Sequence, residues 1–237
     1  MKNIMVALAI LFFFPAFGNE PPYTYNFFTN SRMEGNYFFS TVNYTGNSWV
    51  KNIKRKLPVN NDYFFTPANS LELEYVNGNN GQWNVVIARQ PIRGQDNFMA
   101  PTRLSFRLFI ASKGTVEANL PKIQIGNKDS LFSSPLSLQP FGNIREGNWL
   151  EISIPLAEFT GIDIGANIQH IVLLRFLQNN NDGSRHVLYI DDIEFLPAVS
   201  QNRINSTPTI KNATGYERHI DITWEPITDQ SVKYVKI

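Results

Sequence analysis

Between Thr102 and Ile110 the chain reads TRLSFRLFI, with Leu104, Phe106, Leu108 and Ile110 alternating against Arg103, Ser105 and Arg107. A period of two is the signature of a β-strand with one buried face. The same period recurs in SLELEYV, where Leu71, Leu73 and Tyr75 oppose Glu72 and Glu74, and in NWLEISIPL, where Leu150, Ile152 and Ile154 face inward. Further strands are expected at QWNVVIARQ (82–90), PKIQIG (121–126) and HIVLLRFLQ (170–178). The last is apolar on both faces, so its register stays open. Clusters of Asn, Gly, Asp and Pro separate these runs, and VNGNNGQW reads as a turn because Asn and Gly tolerate positive φ. No long segment keeps a helical period, and IPLAEFTG holds one short turn at most. The expected fold class is all-β, an antiparallel β-sandwich or jelly roll.

One strand breaks the pattern. HVLYIDDIEFLP, His186 to Pro197, reads as a buried strand yet carries adjacent carboxylates at Asp191 and Asp192. Alternation sends one of the two toward the apolar side. A buried carboxylate is costly unless it is paired, hydrogen-bonded or metal-bound, so something local must compensate it.

Charge and targeting narrow the function. Lys and Arg total 21 against 20 Asp and Glu, a net charge of +1. That balance lacks the basic footprint of a nucleic-acid binder. KNIKRK (51–56) is the longest basic run and reads as a solvated loop. Cysteine is absent, which excludes disulfides, thiolate metal sites and Cys nucleophiles. MKNIMVALAILFFFPAFGNE has Lys2, an apolar run from Ile4 to Phe14, and small residues at Ala16 and Gly18. It reads as a cleaved secretory signal over residues 1–18, too short for a membrane span, so the protein is expected to be secreted or displayed at the cell surface. The mature sandwich is expected over 19–197. A polar, Pro-flanked linker follows at 198–207, and a new alternating pattern around Ile220, Ile222 and Trp224 starts in 208–237.

Enzyme chemistry finds little purchase. Glycoside hydrolysis needs two carboxylates about 5–10 Å apart, one with a raised pKa. Glu72 and Glu74 meet the distance on one strand face but lack a third acidic partner. NIQHI has Gln169 and His170 in the reverse of the order found in alginate-type lyases. His170, His186 and His219 show no metal-ligand spacing. A jelly-roll hydrolase or lyase is therefore the third reading, behind a binding module and a structural or adhesive spacer.

The order ANSLELEYV, TRLSFRLFI, EGNWLEISIPLAEF, HVLYIDDIEFL, across Tyr25 to Leu196, resembles the galactose-binding-like β-sandwich modules attached to bacterial polysaccharide hydrolases. The resemblance implies a non-catalytic polysaccharide-binding module that holds a neighbouring catalytic domain near its substrate. It also implies a structural Ca²⁺ at the sandwich edge, with Asp191 matching the ligating carboxylate and Glu34 of RMEGN a second ligand, although the residues after Gly35 depart from the pattern. Sugar recognition requires aromatic platforms and planar hydrogen-bonding groups. The candidates at expected outward positions are Trp83, Arg107 and Arg175, with Gln178 if the register of its strand allows, and Trp49 rimming the groove from its loop. DITWEP, with Trp224 and Pro226, resembles the second strand of a fibronectin type III domain, which implies that 208–237 begins such a domain in a longer chain.

Overall fold

The computed structural model describes residues 25–29, 34–89, 101–164, 168–197, 210–215 and 220–224. The expected signal segment and the expected linker lie outside the described residues. Strands β1 (Tyr25–Phe28), β2 (Ser40–Thr45), β3 (Trp49–Val50), β4 (Val59–Asn60), β5 (Ser70–Val76), β6 (Gln82–Ala88), β7 (Pro101–Ile110), β8 (Lys122–Asn127), β9 (Trp149–Pro155), β10 (Ile171–Leu177) and β11 (Arg185–Pro197) form two antiparallel sheets. The large sheet runs β3-β5-β11-β7-β9, with β1 on β11 and β4 on β5. The small sheet runs β2-β6-β10-β8. The chain is all-β, as the alternation predicts, and IPLAEFTG contains one 3₁₀ turn at Leu156–Glu158.

The alternating faces meet between the sheets. Leu71, Leu73 and Tyr75 of β5 and Leu104, Phe106, Leu108 and Ile110 of β7 are buried against Trp83, Val85 and Ile87 of β6. Phe106 meets Phe176 edge to face at 5.8 Å across the layers. Such contacts contribute beyond the burial of area alone. In β10 the open register resolves with Leu174 and Phe176 inside, fully buried, and Leu173, Arg175 and Leu177 on the outer face. Tyr75 and Trp83, one from each sheet, close the core with ring centroids 4.7 Å apart.

At one end, the turns at 45–48 and 78–81 press together. Gly46 has φ +57°, and a Cβ there would sit 2.0 Å from the Asn80 carbonyl oxygen. Only glycine allows this approach, and it brings Thr45, Asn80 and Gly81 to one end of the small sheet's outer face.

The Asp191–Asp192 question has a geometric answer. The β11–β7 register slips between Asp191 and Glu194, and Asp192 sits at φ 47°. This β-bulge inserts a residue into the strand. Asp191 follows Tyr189 on the outer face of the large sheet, where the segment 61–68 covers it completely.

The remaining strands, β12 (Ile210–Gly215) and β13 (Ile220–Trp224), form a separate antiparallel ladder with Ile210 paired to Trp224. Pro226 and the residues after it lie outside the described residues.

Candidate functional site

The outer face of the small sheet holds a groove of about 750 Å³, within the usual ~300–1,000 Å³ of small-molecule sites. Residues Gln82 and Asn84 of β6 and Arg175 and Leu177 of β10 supply its strand positions. Gln178, Asn179 and Asn181 extend it past the end of β10.

Arg175 is the cationic group of this groove. Its register partners are Val86 on β6 and Gln124 on β8. The guanidinium Nε donates to Gln124 Oε1 at 2.8 Å, Nη2 donates to the same oxygen, and Gln124 Nε2 donates to the Ser133 carbonyl. The Phe132 ring lies 3.8 Å from the guanidinium carbon. Phe132 in turn rests on Gly126, where a Cβ would fall 2.6 Å from the ring. Partial burial lowers the pKa of Arg175, yet a guanidinium remains charged in any protein setting. The result is a flat, pre-oriented cation with donors left to face the groove. Such a group suits vicinal hydroxyls, and its fixed geometry limits the entropy lost on binding.

Gln178 is held as firmly. Ser48 Oγ donates to its Oε1 at 2.7 Å, and its Nε2 donates to Asn181 Oδ1 at 2.7 Å and to the Asn180 carbonyl at 3.0 Å. On the other flank Arg55 Nη2 donates to Asn43 Oδ1 at 2.6 Å, and Asn43 Nδ2 reaches Asn84 Oδ1 at 3.4 Å. The groove is therefore lined by amides and a guanidinium. It offers no exposed aromatic platform among the described residues.

The five sugar-site candidates are thus divided among three places. Arg175 and Gln178 line the groove together. Trp83 borders it but is 2 % exposed, its indole Nε1 donating to Asn77 Oδ1 at 2.8 Å inside the core. The expected outward position is corrected, because Trp83 pairs with Tyr44 in the register that puts Val85 and Ile87 inside. Arg107 and Trp49 belong to the large sheet. Arg107 pairs with Glu151 at 3.1 Å and lies over Phe65. Trp49 starts β3 beside Val76, at the sheet's edge, 36 % exposed. Sequence reasoning missed Gln124, Phe132, Asn84, Asn179 and Asn181. The run of Asn after Gln178 was a legible signal for the last two, whereas the Phe132–Arg175 contact depends on a turn after β8.

The two acidic features of the large sheet are both engaged by neighbouring groups. Lys51 Nζ meets Glu72 Oε1 at 2.7 Å, and Arg185 Nε meets Glu74 Oε1 at 2.6 Å. The hydrogen bond from Arg185, with its charge and that of Lys51, holds the Glu74 carboxyl below its ordinary range. Asp191 Oδ2 accepts the Phe65 and Thr66 backbone N–H groups at 2.8 and 2.9 Å, and Oδ1 accepts Asp192 N–H at 2.8 Å. Burial pushes Asp191 up to about 6, with the neighbouring Asp192 charge adding to the rise and the three N–H donors opposing it. Asp192 Oδ2 accepts Thr66 Oγ1 at 2.6 Å.

Two observations bear on the expected calcium site in opposite directions: Asp192 Oδ1 is buried without a hydrogen-bond partner among the described residues, whereas both Asp191 oxygens are engaged. Both Asp191 oxygens already face N–H donors, whose partial positive charge stands where a cation would. Ca²⁺ takes 6–8 oxygen ligands, and among the described residues no group of three or more Asp, Glu or His side chains converges. Glu34 is exposed. A melt in EDTA is expected to superpose on one in calcium chloride. A fall in midpoint with the chelator would restore a metal to the sandwich.

The architecture is a two-sheet antiparallel β-sandwich with a polar groove on the outer face of one sheet. Residues 24–197 match the family described as carbohydrate binding domain 30, and the chain belongs to that family. The whole chain is 38% identical, over 242 aligned residues, to the exo β-1,2-glucooligosaccharide sophorohydrolase (non-reducing end) of Parabacteroides distasonis, covering 33% of it. The crystal structure of a β-1,2-glucanase from Parabacteroides distasonis superposes with a TM-score of 0.76 at 40% identity, covering 87% of this chain and 30% of that one. The chain thus spans about a third of the length of these relatives. A family 30 carbohydrate-binding module of a cellulosomal cellulase of Clostridium thermocellum gives a TM-score of 0.55 at 15% identity, over 75% of this chain and 99% of the module. That likeness concerns the fold alone.

Proposed function

We propose that the sandwich is a non-catalytic module that binds a β-linked glucan in the small-sheet groove, with β-1,2-glucan the first ligand to test. The observation that carries this reading is Arg175, clamped by Gln124 and Phe132 and opening on a groove otherwise lined by amides. Planar donors fixed in place recognise hydroxyl pairs. Among the described residues lining this groove none is an exposed flat aromatic, which disfavours a ribbon-like chain there. A 1,2-linkage turns successive pyranose rings out of a common plane, which suits a groove that grips edges rather than faces. The relatives named for β-1,2-glucan chemistry point the same way.

The acidic residues support the non-catalytic reading. Glu72 and Glu74 are ion-paired, and Asp191, whose pKa is raised, lies beneath a loop rather than in the groove. A general acid needs a raised pKa and access to the glycosidic oxygen. The catalytic work belongs, in this proposal, to a further domain of a longer exported protein, whose substrate encounters the module increases through effective concentration. The ladder of β12 and β13 is then the opening of a fibronectin type III-like unit between them.

Affinity electrophoresis through gels containing linear β-1,2-glucan, mixed-linkage β-glucan or hydroxyethylcellulose tests the reading. Retardation is expected with β-1,2-glucan. Arg175→Ala is expected to weaken binding at least tenfold, about 1.4 kcal/mol. It should also lower the melting temperature modestly, because the buried Gln124 Oε1 loses its donor, so binding is compared well below the melt. Migration unaffected by every polymer would leave the module a spacer.

A further inference from the structure

On the opposite side of the sandwich, the large sheet carries an aromatic surface that neither the core nor the groove uses. Register places Tyr189, Phe109 and Trp149 side by side across β11, β7 and β9. Their rings form a contiguous row, with centroids 6.2 Å apart for Phe109–Tyr189 and 5.5 Å for Phe109–Trp149. The segment 61–68 lies over this row. Tyr63 stacks on Tyr189 at 4.8 Å with an interplanar angle of 8°. Phe65 meets Trp149 at 6.0 Å, and the Arg107 guanidinium sits 4.4 Å from the Phe65 ring centre.

Covering a sheet does not require aromatic side chains that stay in water. Yet Tyr63, Phe64 and Phe65 are 48, 37 and 45 % exposed. Since one face of Tyr63 is packed flat on Tyr189, its exposure falls on the opposite face and the ring edge. The backbone that presents these rings is fixed. Asp191 receives the Phe65 and Thr66 N–H groups, Asn60 Oδ1 receives those of Asp62 and Tyr63, and Ser70 Oγ donates to the Tyr63 carbonyl. Placing a buried carboxylate beneath the loop is costly, and what it secures is the position of the aromatic segment.

A ring held parallel to a surface with one face free matches the apolar C–H face of a pyranose. The groups around it complete the match. The Arg107–Glu151 pair, partly exposed on both sides, flanks Phe65, and Lys51 lies on Glu72, the register neighbour of Tyr189. These offer donors and acceptors at the platform's edge, where equatorial hydroxyls project.

We propose that the outer face of the large sheet is a second polysaccharide-binding surface, with Tyr63 as stacking platform, Phe65 extending it, and Arg107 and Glu151 as hydroxyl partners. It lies on the opposite sheet from the groove and recognises its ligand differently, by ring faces instead of hydroxyl edges. Two sites on opposite faces let one module engage two chains, or one folded chain twice, so binding to polymer exceeds binding to short oligosaccharides through avidity. Arg107, a sugar-site candidate from the sequence, then acts here and not beside Arg175.

The test uses the full chain in five forms: unaltered, Arg175→Ala/Gln178→Ala, Tyr63→Ala/Phe65→Ala, all four of these substitutions together, and Tyr63→Phe. Each is run in gels of β-1,2-glucan and hydroxyethylcellulose and titrated calorimetrically with glucan oligosaccharides. The Tyr63→Ala/Phe65→Ala form is expected to lose at least fivefold in retardation by one polymer while melting within a few degrees of the unaltered chain. The groove variant should keep residual binding that the fourfold variant loses. Tyr63→Phe, which keeps the ring, should bind normally and so separates the platform from loop integrity. Wild-type retardation of Tyr63→Ala/Phe65→Ala in both polymers overturns the proposal and leaves the groove reading standing. Unaltered binding by the groove variant, lost only with the aromatic pair, sinks the groove reading and upholds this one. If the unaltered chain binds no polymer but self-associates until Tyr63 and Phe65 are removed, the face is a protein contact and the proposal fails.

Discussion

Trp83→Ala is expected to unfold the module rather than silence it, with a loss of about 3–5 kcal/mol in stability, the usual range for truncating a buried Trp. The indole bridges the sheets, packing against Tyr75 and donating to Asn77 Oδ1. Its removal opens a cavity and leaves a buried amide oxygen without its donor, and each effect is destabilising on its own. Asn77 Nδ2 donates to Asn180 Oδ1 at 2.8 Å, so the damage reaches the segment that carries Asn179 and Asn181 along the groove. Trp83→Phe fills most of the volume and loses only the hydrogen bond, and is expected to cost about 1–2 kcal/mol. Urea denaturation followed by circular dichroism reads both. A Trp83→Ala protein that melts normally but loses affinity would return this residue to the binding surface.

The second large effect belongs to Asp191. Asp191→Ala removes the acceptor of three backbone N–H groups and is expected to cost about 2–4 kcal/mol, releasing the 61–68 segment first. Asp191→Asn keeps one oxygen for Phe65 and Thr66, sets an amide donor against Asp192 N–H, and is expected to cost about 1 kcal/mol. The pH dependence has a definite sign. The folded-state pKa, about 6, is higher than the ordinary 3.8, so the folded protein holds this proton more tightly than the unfolded chain. The associated stability is fully present below about pH 4 and is lost as pH rises through 6. Over that window it amounts to about 3 kcal/mol. The contribution of this group should vanish in Asp191→Asn, whose stability profile subtracted from the unaltered one isolates it. A difference curve that is flat, or rises with pH between 4 and 7, would mean that the N–H donors outweigh burial.

Much of this was legible in the chain. The strands at 70–76, 102–110 and 149–155 followed from strict alternation, because a side-chain period of two leaves a single choice of inner face. The resemblance carried by EGNWLEISIPLAEF and HVLYIDDIEFL anticipated a carbohydrate-binding sandwich, and the match to family 30 agrees at that level. β10 was not assignable, since HIVLLRFLQ is apolar on both faces. Only pairing with β6 and β8 put Arg175 outside and Phe176 in the core. The site residues were less legible for the same reason. Gln82 and Trp83 are neighbours that belong to opposite faces, and a polar start to a strand does not say which neighbour the core will take.

By itself, the sequence determined an all-β chain, the faces of its alternating strands, and a pair of carboxylates in need of compensation. Those properties are local, set by side-chain period and by the cost of burying charge. The tertiary structure alone decided that Arg175 and Gln178 share a groove while Arg107 lies on the other sheet. It also decided that two of the three backbone N–H partners of Asp191 lie more than a hundred residues away in the chain. Strand order and loop packing join residues whose separation carries no periodic signal, so that information exists only once the sheets have closed on each other.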